Sequence, residues 1–149
     1  MQIEIDQSWK IEDTNKKSVI AFSNSTSASL LISAKEKKAI QQLYRQAGKP
    51  EIFVYRLFSV LIFILVKDYL EQVDSIVVDT EYPGKEALIK DFILQLIWKY
   101  KDPSFNKNKL WFKQIGKRSR AHKVAYATFK ESRRCTESVG LKDIAKYLL

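Results

Sequence analysis

The stretch SIVVDTE at residues 75–81 decides the fold that this sequence predicts. A short run of β-branched residues between polar neighbours is typical of a buried strand, and here it closes on two carboxylates, Asp79 and Glu81. A second predicted strand, QIEID at residues 2–6, also ends on an aspartate, Asp6. Hard divalent cations prefer oxygen ligands that converge from separate elements. Two central strands that each end in a carboxylate therefore indicate a divalent-metal site in an α/β protein.

Further strands and helices are predicted on both sides of that strand. The predicted strands cover residues 2–8, 19–23, 28–33, 75–79 and 110–115, and the predicted helices cover residues 35–46, 51–72, 85–100 and 119–131, with a short helix from residue 141. The first three strands are joined by short turns, which favours an antiparallel meander. The later strands alternate with helices and require crossover connections. The sequence predicts one α/β domain over residues 1–149, with a five-stranded mixed sheet and helices on both faces.

Composition narrows the class of protein. The chain has 149 residues, 46% of them hydrophobic, with only four glycines and three prolines, which is typical of a globular domain. The single cysteine, Cys135, excludes an internal disulfide and favours a reducing compartment. The first residues carry no apolar leader, so a cytoplasmic location is expected. The apolar run at residues 52–66 is shorter than the roughly 20 residues that span a bilayer, which favours a buried helix and no membrane partner.

The net charge of +9 is concentrated in the last third of the chain. Residues 99–149 contain 14 Lys and Arg against 4 Asp and Glu, whereas residues 1–98 contain 12 against 13. A basic surface attracts the phosphates of nucleic acids without sequence specificity. Nucleic acid is therefore the predicted partner, with a purely solubilising role of the charge as the alternative.

The order of elements and the fragment Asp79-Thr80-Glu81-Tyr82 resemble the ribonuclease H-like superfamily of nucleases. That superfamily carries metal ligands on its first strand, at the start of its long helix, after its fourth strand and on the helix after its fifth strand. The resemblance spans roughly residues 2–130 and implies Asp6, Glu51, Asp79 and His122, in that order, as metal-binding and catalytic residues. His122 stands where ribonuclease H itself usually has an aspartate.

Two features depart from the family pattern. The usual Asp-Gly-Ser is Asp6-Gln7-Ser8 here, and the helix predicted at residues 35–46 is additional. Each ligand also has a structural alternative. Asp6 and Asp79 could cap a turn or the next helix, Glu51 could only complement a helix dipole, and His122 could be solvated. Glu81 shares the face of Asp79 if the strand continues, and could replace or assist it.

The resemblance implies two Mg²⁺ or Mn²⁺ ions that hydrolyse a phosphodiester, one activating water and the other stabilising the leaving oxygen. The expected substrate is the RNA strand of an RNA–DNA hybrid or structured DNA. One alternative is a branched-DNA (Holliday-junction) resolvase, which would imply a homodimer because resolvases generally need two active sites. The other is a non-catalytic nucleic-acid-binding or scaffold protein with the same fold.

Basic residues just before and at the start of the helix predicted at 119–131 are the expected contacts to the phosphate backbone. They are Lys117, Arg118, Arg120 and Lys123. A helix N-terminus with Ser119 as its cap favours an anion, although a solvated basic loop explains the same residues. Trp9 follows Asp6 closely and could stack on a base or serve only in packing.

Overall fold

The computed structural model describes residues 1–116, 119–131 and 134–148. In chain order the elements are β1 (Gln2–Ser8), β2 (Ser18–Ser23), β3 (Ser27–Ile32), α1 (Ala34–Gln46), α2 (Phe53–Val66), β4 (Ser75–Asp79), α3 (Glu86–Tyr100), β5 (Leu110–Lys113), α4 (Arg120–Phe129), β6 (Glu137–Val139) and α5 (Leu141–Ile144). Short 3₁₀ turns lie at Pro50–Ile52, Leu70–Gln72, Lys107–Lys109 and Ala145–Tyr147.

One mixed sheet has the strand order β5-β4-β1-β2-β3-β6. The β1–β2–β3 meander is antiparallel, whereas β4 is parallel to β1, β5 is parallel to β4 and β6 is parallel to β3. The predicted α/β class and mixed sheet are confirmed.

The predicted count of five strands is wrong, because β6 extends the sheet beyond β3. This strand has only three residues, and Glu137 and Ser138 are exposed, so no alternation of apolar residues marks it in the sequence. It is held instead by hydrogen bonds between two chain segments far apart in sequence. The Ser29 backbone N–H donates to Thr136 Oγ1 at 3.0 Å, and the Thr136 N–H donates to the Ser29 carbonyl at 3.0 Å.

Helices cover the two faces of the sheet unequally. The helices α2 and α3 pack on the face that carries Ile3, Ile5 and Val78, and together they form the main core. The helix α4 packs on the other face, over β1 and β2, in a small apolar cluster with Val19 and Ala21. Within α2, 11 of 14 residues are buried, as expected for a helix that is apolar on most sides. The predicted helix at 51–72 is longer than α2, which ends where the apolar run gives way to Lys67 and Asp68.

A buried lysine on α1 fixes the loop between β1 and β2. The Lys37 ammonium donates to the Asp13 carbonyl at 2.6 Å, the Lys10 carbonyl at 3.3 Å and Ser18 Oγ at 2.9 Å. Burial lowers the pKa of Lys37 to about 8. The loop that carries Trp9 is thereby tied to the helical layer.

In the part of the chain that the structure describes, no helix combines the length and the apolar character needed to cross a bilayer.

Candidate metal centre

The parallel pairing of β1 and β4 brings two aspartates side by side. Ile5 lies opposite Val78, so the next residues, Asp6 within β1 and Asp79 at the end of β4, lie side by side. Both side chains point to the face that α4 covers, because successive strand residues alternate between faces. Asp6 is paired on its other side with Ala21, a member of the cluster under α4.

A third carboxylate joins this pair. Glu81 lies two residues after Asp79, and ligand oxygens of Asp6, Asp79 and Glu81 all lie within 4.8 Å of one another. Oxygen ligands on two neighbouring strands and the segment that follows are the donor set that Mg²⁺ and Mn²⁺ prefer. These three side chains define the carboxylate cluster.

Asp6 is the most enclosed member of the carboxylate cluster, with 4% of its surface exposed. Its Oδ1 accepts the Gln7 backbone N–H at 2.8 Å, and its Oδ2 lies 2.7 Å from His122 Nδ1. Burial raises the pKa of Asp6, the bonds from Gln7 and His122 oppose that rise, and the neighbouring Asp79 adds to it. A cation at this position would favour the ionised form.

The Asp79 and Glu81 carboxylates interact directly. Asp79 Oδ1 accepts the Ile115 backbone N–H at 2.6 Å, which ties the end of β4 to the segment after β5. The alternative that Asp79 caps the next helix is wrong, because α3 begins after Lys85 without a side-chain cap. Burial, a hydrogen bond to Asp79 and the charges of Asp79 and Asp6 raise the pKa of Glu81 to about 8, against a small opposing effect of Lys10.

The N-terminal turn of α4 delivers His122 to Asp6. Ser119 caps the helix, and its Oγ accepts the His122 backbone N–H at 3.0 Å. When Asp6 is ionised it accepts from Nδ1–H, which leaves Nε2 to bind a metal or accept a proton. The imidazole also stacks on Tyr126, with ring centroids 6.2 Å apart and planes at 16°.

The other predicted site residues have different positions. Glu51 is exposed in the 3₁₀ turn that precedes α2 and does not belong to the carboxylate cluster. Its role as a ligand stays a prediction. Arg120 and Lys123 are exposed on α4, whereas Lys117 and Arg118 lie outside the described residues.

The sequence did not predict that the side chains of Gln7 and Tyr82, which directly follow Asp6 and Glu81, form a buried hydrogen bond. The buried Tyr82 hydroxyl accepts from Gln7 Nε2 at 3.3 Å and from the Ile11 N–H at 3.2 Å, and it donates to Glu12 Oε1 at 3.3 Å. Burial raises the pKa of Tyr82, so the phenol stays protonated. The only available signal was position, since Gln7 follows Asp6 and Tyr82 follows Glu81. Gln7 Oε1 is buried and has no hydrogen-bond partner among the described residues.

Comparisons with protein-family models, curated proteins and solved structures gave no match to this chain.

Proposed function

We propose that this protein is a metal-dependent nuclease with a ribonuclease H-like fold, in which Asp6, Asp79 and Glu81 bind Mg²⁺ or Mn²⁺. The convergence of these three carboxylates within 4.8 Å carries the proposal. The raised pKa values of Asp6 and Glu81 support it, because burial and, to a lesser degree, the neighbouring carboxylates disfavour their ionised forms until a cation or a proton neutralises the charge.

The donor groups suit the chemistry of phosphodiester hydrolysis. Asp6 contacts His122 at 2.7 Å and lies within 4.8 Å of Asp79 and Glu81, so these carboxylates would hold the ions that activate water and stabilise the leaving oxygen in a two-metal hydrolysis. Water and substrate phosphate oxygens would complete the coordination of each ion. The His122 Nε2 is available as a further ligand or as a proton acceptor.

The architecture and charge agree with this proposal. The first five strands form a mixed sheet of the kind that the family resemblance implies, and β6 and α5 extend it. Arg120 and Lys123 place positive charge on the helix that also carries His122. A polyanionic substrate such as an RNA–DNA hybrid or structured DNA is therefore the proposed substrate class.

A cleavage assay with matched carboxylate variants tests this function. Labelled RNA–DNA hybrid, duplex DNA, single strands and a four-way junction are incubated with Mn²⁺, Mg²⁺ or a chelator. We expect metal-dependent cutting that Asp79→Asn reduces by at least 100-fold. Asp91→Asn is the control, because Asp91 is exposed on α3 at the opposite face of the sheet. Preference for the junction would identify a resolvase, and no cutting of any substrate would contradict the nuclease assignment.

A further inference from the structure

We propose that an aromatic and basic strip along the exposed side of α4 binds single-stranded nucleic acid. The strip consists of Trp9, Lys16, Lys123, Tyr126 and Lys130. It begins beside His122, and its role in delivering substrate to the carboxylate cluster rests on the proposed function. Its capacity to bind a single strand does not need the metal.

The two large aromatic rings of the strip are exposed to solvent. Tyr126 is 51% exposed and Trp9 is 39% exposed. Each is held in place by a stacked neighbour: Tyr126 by His122, and Trp9 by Phe129 at 5.6 Å between centroids with planes at 8°. Exposed, orientated rings are the platforms on which unpaired bases stack.

The backbone and side chain of Trp9 are fixed in an outward position. Trp9 has φ of 71°, a left-handed conformation that is uncommon for a bulky residue. Its indole Nε1 donates to Asp13 Oδ2 at 2.7 Å, and its carbonyl accepts from Ser18 Oγ at 2.8 Å. This uncommon backbone conformation holds the Trp9 ring at the surface, which a role in core packing would not require.

Lysines accompany both exposed rings. The Lys16 ammonium lies 4.1 Å from the centroid of the Trp9 ring, and the Lys130 ammonium lies 5.8 Å from that of Tyr126. Residues 120–129 include no Asp or Glu, so α4 offers no carboxylate to Lys123 or Lys130, whereas Lys16 lies near the charge of Asp13. A phosphate would draw each flexible lysine to the nucleic-acid backbone, and the vacated ring face would receive a base.

The spacing of the strip favours a single strand over a duplex. Residues His122, Tyr126 and Lys130 recur every fourth position and therefore follow one side of α4 away from Asp6. Bases within a duplex are already stacked on their neighbours and cannot cover these rings, whereas unpaired bases can. The strip thus selects a substrate with an unpaired segment next to the carboxylate cluster.

Fluorescence anisotropy with a short labelled single-stranded oligonucleotide, in the presence of a chelator, tests the strip. We expect Tyr126→Leu and Trp9→Leu each to weaken binding about tenfold, which corresponds to the stacking of one base. Trp111→Leu is the control, because Trp111 is 38% exposed but lies on the edge strand β5. It should bind as the unaltered protein does, and the melting temperature of each variant confirms folding.

Unchanged binding by Tyr126→Leu, an exposed site that folding does not need, would overturn the strip. An equal loss of affinity for duplex and single strand would also overturn it, since stacking predicts a larger loss for the single strand. Metal-dependent cleavage that survives such a result would leave the nuclease proposal intact. Absence of metal-dependent cleavage by the unaltered protein, with single-strand binding that depends on Tyr126 and Trp9, would instead contradict the nuclease proposal alone.

Discussion

Glu81 shows how much a single residue adds to the carboxylate cluster. Its position was open to prediction, because it lies on the face of Asp79 by strand alternation. The structure brings it to Asp6 and Asp79, whereas the predicted ligand Glu51 lies outside the cluster. The order of elements in the resembled family suggested Glu51 as a ligand. Only the folded structure shows that the segment after β4 brings Glu81 close to Asp6.

The raised pKa of Glu81 predicts a dependence of stability on pH. The carboxyl titrates near 4.5 when unfolded and at about 8 when folded, so the folded protein holds an extra proton between these values. The stabilisation that this proton provides is present at low pH and is lost as pH rises toward 8. In a chelator, Glu81→Gln should therefore stabilise the protein at pH 8 relative to the unaltered protein and have little effect at pH 4.5. The full shift corresponds to roughly 4–5 kcal/mol, and solvent screening at this half-buried side chain lowers the expected gain to about 1–2 kcal/mol.

Urea unfolding at the two pH values measures this difference. Glu71→Gln serves as the control, because Glu71 is exposed in the 3₁₀ turn before β4. It should leave the pH dependence unchanged. The same gain in stability for Glu81→Gln at pH 4.5 and pH 8 would mean that Glu81 does not hold the extra proton.

The N-terminal cap of α4 holds the turn that carries His122. Ser119→Ala removes the hydroxyl that accepts the His122 N–H, and Ser33→Ala removes the equivalent cap of α1, where Ser33 Oγ accepts the Glu36 N–H at 3.2 Å. Each change should lower the free energy of unfolding by about 1 kcal/mol. Only Ser119→Ala should also reduce metal-dependent cleavage, by several-fold, because it loosens the turn that holds His122 against Asp6.

Chemical denaturation and the cleavage rate of both variants provide this comparison. Equal cleavage by the two variants would show that the capped turn of α4 does not contribute to the reaction.

Most secondary-structure elements could be predicted because their own residues specify them. Alternating or β-branched runs predicted β1 and β4 with the bounds observed, and helical periodicity predicted α1 and α3 to within one residue. The strand β6 could not be predicted, since its residues are polar and it exists through pairing with β3. The long helix was predicted to extend beyond α2 because periodicity alone does not show where 3₁₀ turns replace α-helix.

The chain as a whole separates a nearly neutral part from a basic one. The carboxylates of the cluster come from the nearly neutral first 98 residues, whereas His122 and the strip on α4 lie mainly in the basic remainder. The fold brings these two parts together on the face of the sheet where α4 packs over β1 and β2. The layers could be predicted from patterning, but the contact between Asp6 and His122 joins residues 116 positions apart and only the folded structure shows it.

A Mn²⁺ titration followed by calorimetry and by melting temperature tests whether the carboxylate cluster binds a divalent metal. The folded protein should bind Mn²⁺ and melt at a higher temperature, with about 2.7 kcal/mol of added stability when the ion is at 100 times its Kd. Asp79→Asn should lose the effect, whereas Asp91→Asn should retain it. A melting temperature that Mn²⁺ leaves unchanged, or raises equally in Asp79→Asn, would show that the carboxylate cluster does not bind the metal.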